Sequence, residues 1–243
     1  MLGCGIIPRL GSSRATKLIF PMSSHIKTLP IPAETAAIVL AGGENSRMHG
    51  RNKALLALNS RRFIDYLLDR LQPQVANILI SSHQQTPQFS SPNITPIFDL
   101  PLTNGSANAR LGPLAGIYAG LKWLQQHQPN TSWALTVPAD SPLIPHTLLR
   151  QLSEKCGGAA LVYATNGNDA HYLTALWHIS LVDQLEDYLN SGQRSAHQFL
   201  KRVGAVAAAV RLSDHGDESF ANVNTPDDYQ VFVDTFKNQL DQE

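Results

Sequence analysis

Apolar and polar positions along this chain alternate between two rhythms. The first clear signal is Ala36-Ala37-Ile38-Val39-Leu40, a continuous apolar run with the composition of a strand buried on both faces. It stops at Ala41-Gly42-Gly43. Between Ser60 and Leu71 the period changes: Phe63, Ile64, Leu67, Leu68 and Leu71 form the stripe of a core-facing helix. Ile78-Leu79-Ile80 predicts a second strand, and Ile94 to Leu100 a third, with Asp99 near its end. A polar loop with Gly105 runs from Leu102 to Arg110, and a helix follows over Leu114 to His127, striped by Leu114, Ile117, Leu121 and Leu124. Trp133 to Val137 predicts the next strand, closed by Pro138-Ala139-Asp140-Ser141-Pro142.

The second half is less regular. Ala159 to Ala164 and Tyr172 to Trp177 predict strands around a turn at Asn166-Gly167-Asn168-Asp169. Helices are expected over Leu181 to Leu189 and Ser195 to Val203, a strand over Ala205 to Leu212, and a last helix after Thr225-Pro226. Thr225 suits the cap and Pro226 the first turn of that helix. Strand–helix alternation of this kind predicts an α/β fold, a mostly parallel sheet covered by helices on both faces. Ligands in such folds lie beyond the carboxyl ends of the strands. The glycine loop, Asp99 and Asp140 all fall on that edge.

Length and charge narrow the function. A chain of 243 residues can bury a substantial core. Its 19 basic and 19 acidic residues cancel, which leaves no electrostatic footprint of a nucleic-acid binder. No apolar run approaches the ~20 residues that span a bilayer. The two cysteines, Cys4 and Cys156, stand in no metal or redox spacing, as expected in a reducing cytoplasm. Residues 1–34 carry four basic residues and no acid before Glu34, with Pro8, Pro21, Pro30 and Pro32 breaking any long helix. They read as a flexible N-terminal extension. Residues 35–240 then form a single domain, with a regular first half at about 35–145 and a second half at about 146–240.

The chemistry concentrates after the first strand. Glycines there let backbone N–H groups approach a ligand, and Arg47 and Lys53 add cations, so the loop suits a polyphosphate. It lacks the Gly-Lys-Ser/Thr of a P-loop and the third glycine of a dinucleotide fingerprint. Asp140 stands between prolines just past a buried strand. A carboxylate held there can join phosphate oxygens around a hard cation such as Mg²⁺; a turn aspartate bonding its own backbone is the alternative.

Leu40-Ala41-Gly42-Gly43, Ser46-Arg47-Met48, Gly50 and Lys53 together closely resemble the signature loop of the molybdenum cofactor guanylyltransferases, the MobA family. Gly112-Pro113-Leu114-Ala115-Gly116 and Phe220-Ala221-Asn222-Val223-Asn224-Thr225-Pro226-Asp227 resemble two further segments of that family. The resemblance covers about residues 36 to 236. It implies a Rossmann-like sheet of the nucleotide-diphospho-sugar transferase type, and transfer of GMP from GTP to molybdopterin with loss of pyrophosphate. It further implies a nucleotide site of Leu40, Ala41, Gly42, Gly43, Lys53, Ser81, Asp99 and Asp140. Lys53, Asp140 and Arg47 would carry catalysis, with Mg²⁺ on Asp140. The acceptor would meet Arg194, Asn222, Asn224 and His171, and the product would pass to molybdoenzymes or delivery proteins.

Four positions depart from the family pattern. His49 replaces a common Gly, Asn52 an Asp, Ser81 an Asn, and Tyr172 the Pro that usually follows His171. Two other readings stay open here. One is a molybdopterin cytidylyltransferase or another nucleotidyltransferase of the same fold, although Leu-Ala-Gly-Gly rather than Leu-Ala-Ala-Gly argues against the cytidylyl branch. The other is a non-catalytic cofactor-binding or delivery protein, against which intact Lys53 and Asp140 argue.

Overall fold

The computed structural model describes residues 29–42, 53–82, 94–101, 112–212, 220–221, 223 and 225–236. Strand β1 (Thr35–Leu40) is buried along almost its whole length, as its unbroken apolar run requires. A short hairpin follows, β2 (Ala57–Leu58) and β3 (Arg61–Arg62), which the helical stripe had hidden. Asn59 and Ser60 both take positive φ, 48° and 68°, in the two-residue turn that matches strand twist. Helix α1 (Phe63–Leu71) therefore starts three residues later than the sequence predicts. Its first turn is held by Asp65, which accepts from the Arg62 backbone N–H at 3.1 Å and from its Nε at 2.8 Å.

The remaining elements follow in order: β4 (Asn77–Ser81), β5 (Ile94–Ile97), α2 (Pro113–His127), β6 (Trp133–Pro138), α3 (Leu148–Ser153), β7 (Leu161–Asn166), β8 (Asp169–His178), α4 (Val182–Asn190), α5 (Ala196–Arg202), β9 (Val206–Ala209) and α6 (Pro226–Phe236). The third strand ends at Ile97, so Asp99 lies two residues beyond it. Pro96 is accommodated because β5 is an edge strand, where a missing N–H breaks no second ladder.

Among the described residues the main sheet has the order β5-β4-β1-β6-β8-β7-β9. All its pairings are parallel except those of β8, which runs against both β6 and β7. The register levels the strand ends. Leu40 pairs with Ser81 on one side and Pro138 on the other, and Ser81 pairs with Ile97, so four parallel strands finish in one row.

Two apolar layers sandwich the sheet. On one face α2, α4 and α5 cover Ile38, Ala134 and Trp177; on the other α1 and α3 cover Val39, Leu135 and Val162. A third cluster ties the C-terminus to the N-terminal half: Phe232 and Phe236 of α6 pack with Leu58, Phe63 and Leu143.

The antiparallel strand is locked by one hydroxyl. Between the pairs Tyr163↔Ala175 and Ala164↔His171 the register shifts, so residues 172–174 bulge from β8. Buried Thr136 of β6 donates its hydroxyl to the Leu173 carbonyl at 2.7 Å, which the bulge frees from the ladder. The same oxygen accepts from Trp177 Nε1 at 3.0 Å. Thr136→Val keeps the shape but leaves a buried indole N–H and a carbonyl unpaired. It should cost about 2–4 kcal/mol and lower the melting temperature by roughly 4–15 °C in thermal unfolding; a change under a degree would show the bulge stands without it.

Candidate active site

The end of β1 is fastened on both sides. Ala41 donates its N–H to the Ser81 carbonyl at 2.8 Å, and Ala139 donates to the Leu40 carbonyl at 3.0 Å. Leu40, Ala41 and Gly42 thus leave the sheet at a fixed height, half-buried, with β4 and β6 as walls. The chain returns at Lys53, which opens a short 3₁₀ turn to Leu55 closed by Leu56 N–H on the Lys53 carbonyl at 3.1 Å. Gly43 and Arg47 lie outside the described residues.

From that turn Lys53 reaches across to the end of β6, where its Nζ donates to Asp140 Oδ2 at 3.2 Å. The two side chains keep 16% and 20% of their exposure, so the pair is screened from bulk water but open to a ligand. Asp140 is itself held by backbone. Ser141 N–H donates to the Pro138 carbonyl at 3.2 Å in the turn, and the Asp140 carbonyl accepts from Val223 N–H at 3.4 Å. Residues 53, 140 and 223 therefore meet at one point. Asn222 and Asn224 lie outside the described residues; Val223, between them in sequence, is the residue that meets Asp140.

Gly112-Pro113-Leu114-Ala115-Gly116 proves to be a close-packing device. Gly112 takes φ +69° as it enters α2, and Pro113 occupies the first helical position. One turn on, a Cβ at Gly116 would stand 2.4 Å from Ser81 Oγ and 3.5 Å from Leu40 Cδ2. The absent side chain lets α2 settle against the ends of β1 and β4. Ser81 is buried beneath it, so its hydroxyl belongs to this packing. Asp99, half-buried, leaves the same edge beyond β5.

The second half is arranged differently from this edge. Half-buried His171 lies at the start of β8 with its ring on Phe220, centroids 4.5 Å apart. Its Nε2 is buried without a hydrogen bond to any described residue. Burial pushes the imidazole below its ordinary pKa, opposed in part by Asp169. Arg194 closes the link between α4 and α5, its Nη1 donating to the carbonyls of Leu189 and Gln193 at 2.7 Å each. The described residues thus join Lys53 to Asp140 and place Arg194 on its own loop. Buried Cys156, its thiol pushed up to about 11 by desolvation, offers no nucleophile. Sequence reasoning missed Val223. Its signal was present, since an apolar residue between two asparagines must point its own way and pack.

Over residues 37–209 the sequence matches the MobA-like NTP transferase domain. The chain belongs to that family. The molybdenum cofactor guanylyltransferase of Yersinia pseudotuberculosis serotype O:1b is 36% identical over 195 residues, covering 80% of this chain and 93% of the relative. That of Yersinia pestis strain Pestoides F is 35% identical over the same span. In three dimensions the chain resembles molybdopterin-guanine dinucleotide biosynthesis protein A from Archaeoglobus fulgidus, with TM-score 0.65 and 24% identity over 86% of this chain and all of that one. A nucleotidyl transferase from Methanothermobacter has TM-score 0.64 and 18% identity, over 85% of this chain and 99% of its own. These last two likenesses concern the fold.

The packing at α2 gives a direct test of how the ends of β1 and β4 are held. Gly116→Ala should lower stability by about 1–3 kcal/mol through overpacking. Adding Ser81→Ala, which removes the obstructing oxygen, should recover much of that loss in a double-mutant cycle of denaturant unfolding. Strict additivity would mean the two residues do not meet.

Proposed function

We propose that this chain transfers GMP from GTP to molybdopterin and releases pyrophosphate, making the guanine dinucleotide form of the cofactor. The observation that carries the reading is the Lys53–Asp140 pair, at 3.2 Å on the edge where the glycine loop leaves β1, in a chain of this family. A cation and a carboxylate at one strand edge match the needs of phosphoryl-type transfer, which asks for positioning and charge neutralisation more than for a protein nucleophile.

In this mechanism GTP lies over β1 and β4. The backbone of Leu40, Ala41 and Gly42, continued by Gly43, faces it, with Ser81 beneath and Asp99 at the flank. Lys53 turns from Asp140 to the triphosphate and offsets charge as it builds; Arg47, from the same loop, adds a second cation. A phosphate oxygen of molybdopterin attacks the α-phosphorus. A new P–O bond forms, the bond to the bridging oxygen of the β-phosphate breaks, and pyrophosphate leaves with that electron pair. On the acceptor side Arg194, His171, Asn222 and Asn224 receive molybdopterin.

Magnesium suits this donor set. Mg²⁺ is held by one or two carboxylates together with phosphate oxygens and water, and Asp140 supplies one hard oxygen ligand beside Lys53. Asp140 would hold the ion, and the bound ion supplies charge neutralisation at the phosphates. The distant cysteines support a reducing, cytoplasmic setting, where molybdoenzymes or delivery proteins would take the product.

Asp140→Asn tests the reading. The amide still accepts from Lys53, so the fold should keep its melting temperature, while kcat should fall at least about 10²-fold. Transfer within twofold of wild type at saturating Mg²⁺ would remove Asp140 from the chemistry.

A further inference from the structure

The bulge in β8 has a second consequence, on the face opposite His171. Tyr172 stands in it, and its ring lies 5.3 Å from that of Tyr163 on β7 and 5.0 Å from that of His197 in α5. The three rings form a continuous run, tilted 42° and 34° at its two contacts. Both tyrosines are half-buried and His197 is exposed, so the run keeps an open side.

The location in the sheet makes this run more than a satellite of the core. Thr136 pairs with Ala175, so the beginning of β8 lies at the same edge as Asp140 at the end of β6. β8 is the next strand after β6, and β7 the one after that. Tyr172 therefore lies one strand beyond β6 and Tyr163 two strands beyond it, on the acceptor side of the sheet. Lys53, β1 and β4 occupy the other side.

Resting on the functional reading above, we propose that Tyr163, Tyr172 and His197 form the stacking platform for the pterin of the acceptor. The pterin of molybdopterin is reduced and fused to a pyran, but its aminopyrimidinone half is planar and conjugated, and such a ring gains most from packing face-on against aromatic side chains. Its phosphate tail then points back along the sheet edge towards Asp140 and Lys53, where the bond forms. A purine would stack equally well on isolated rings, but the nucleotide side of the edge is already defined by the glycine loop. Tyr172 carries the main contact, because the bulge sets it between the other two rings.

Steady-state transfer by the full chain, with GTP and molybdopterin varied in turn, tests the platform alongside equilibrium binding of molybdopterin without GTP. Tyr172→Ala should raise KM and Kd for molybdopterin about tenfold and leave KM for GTP unchanged. Exposed His197→Ala, which should not disturb the fold, should raise both by a smaller factor in the same direction. Tyr172→Phe keeps the ring and should restore wild-type values. Wild-type KM and Kd for molybdopterin in both alanine variants would overturn the platform while leaving guanylyl transfer intact. An equal rise in KM for GTP would also overturn it. A wild-type chain that binds GTP yet transfers nothing to molybdopterin would overturn the functional reading, and the platform with it.

Discussion

The ion pair between Lys53 and Asp140 is the constraint around which this edge of the molecule is arranged. Its partners are 87 positions apart in sequence and belong to different connections, one returning from the glycine loop and one leaving β6. Partly desolvating two opposite charges gains little unless the geometry is good and other bonds hold the groups in place. The fold meets that condition with backbone. The hydrogen bonds of Ala139 to the Leu40 carbonyl and of Val223 to the Asp140 carbonyl fix the backbone that carries the carboxylate. The short turn after Lys53 sets the height from which the amine reaches over. In the proposed reaction the lysine of this accessible pair exchanges its carboxylate partner for an incoming phosphate, which is a different task from stabilising a surface.

The level strand ends turn that local contact into a layout. Ile97, Ser81, Leu40 and Pro138 finish in one row, so everything leaving them stands side by side beyond the sheet. On the side of β1 and β4, α2 is brought down by the missing side chain of Gly116. Across the centre, β8 reverses direction, and its bulge, held by Thr136, presents His171 to one face and Tyr172 to the other. The C-terminal helix returns to α1 and the hairpin, which carries the segment around Val223 to Asp140.

Much of this was legible in the residues. Strands buried on both faces advertise themselves as unbroken apolar runs, and β1, β4 and β6 fall where Ile38, Leu79 and Leu135 put them. The glycine loop and Asp140 could be assigned to one edge because parallel connections put all such ends together. Three features were hidden for physical reasons. The hairpin at Asn59-Ser60 depends on positive φ at residues that are not glycine, so the helical stripe of Phe63 and Ile64 seemed to begin earlier. Helix α3 is only six residues long, too short for a periodic signal. The bulge in β8 depends on Thr136, and a long-range hydroxyl bond leaves no mark on local pattern. Arg194 shows the converse: a cation in a familiar segment, whose Nη1 proves to be tied to the carbonyls of its own loop.

The central claim is that this edge is built for GTP. Guanine offers an acceptor at O6 and donors at N1 and N2, which the backbone at the end of β1 can match without the asparagine that Ser81 replaces. A site made to hydrogen-bond one base leaves its own groups unpaired against another, a mismatch that can discriminate by ~10⁴. Initial rates with GTP, CTP and ATP, at saturating molybdopterin and Mg²⁺, measure this directly. GTP is expected to be strongly preferred, with its KM raised by the shorter side chain at position 81. CTP outperforming GTP would contradict it.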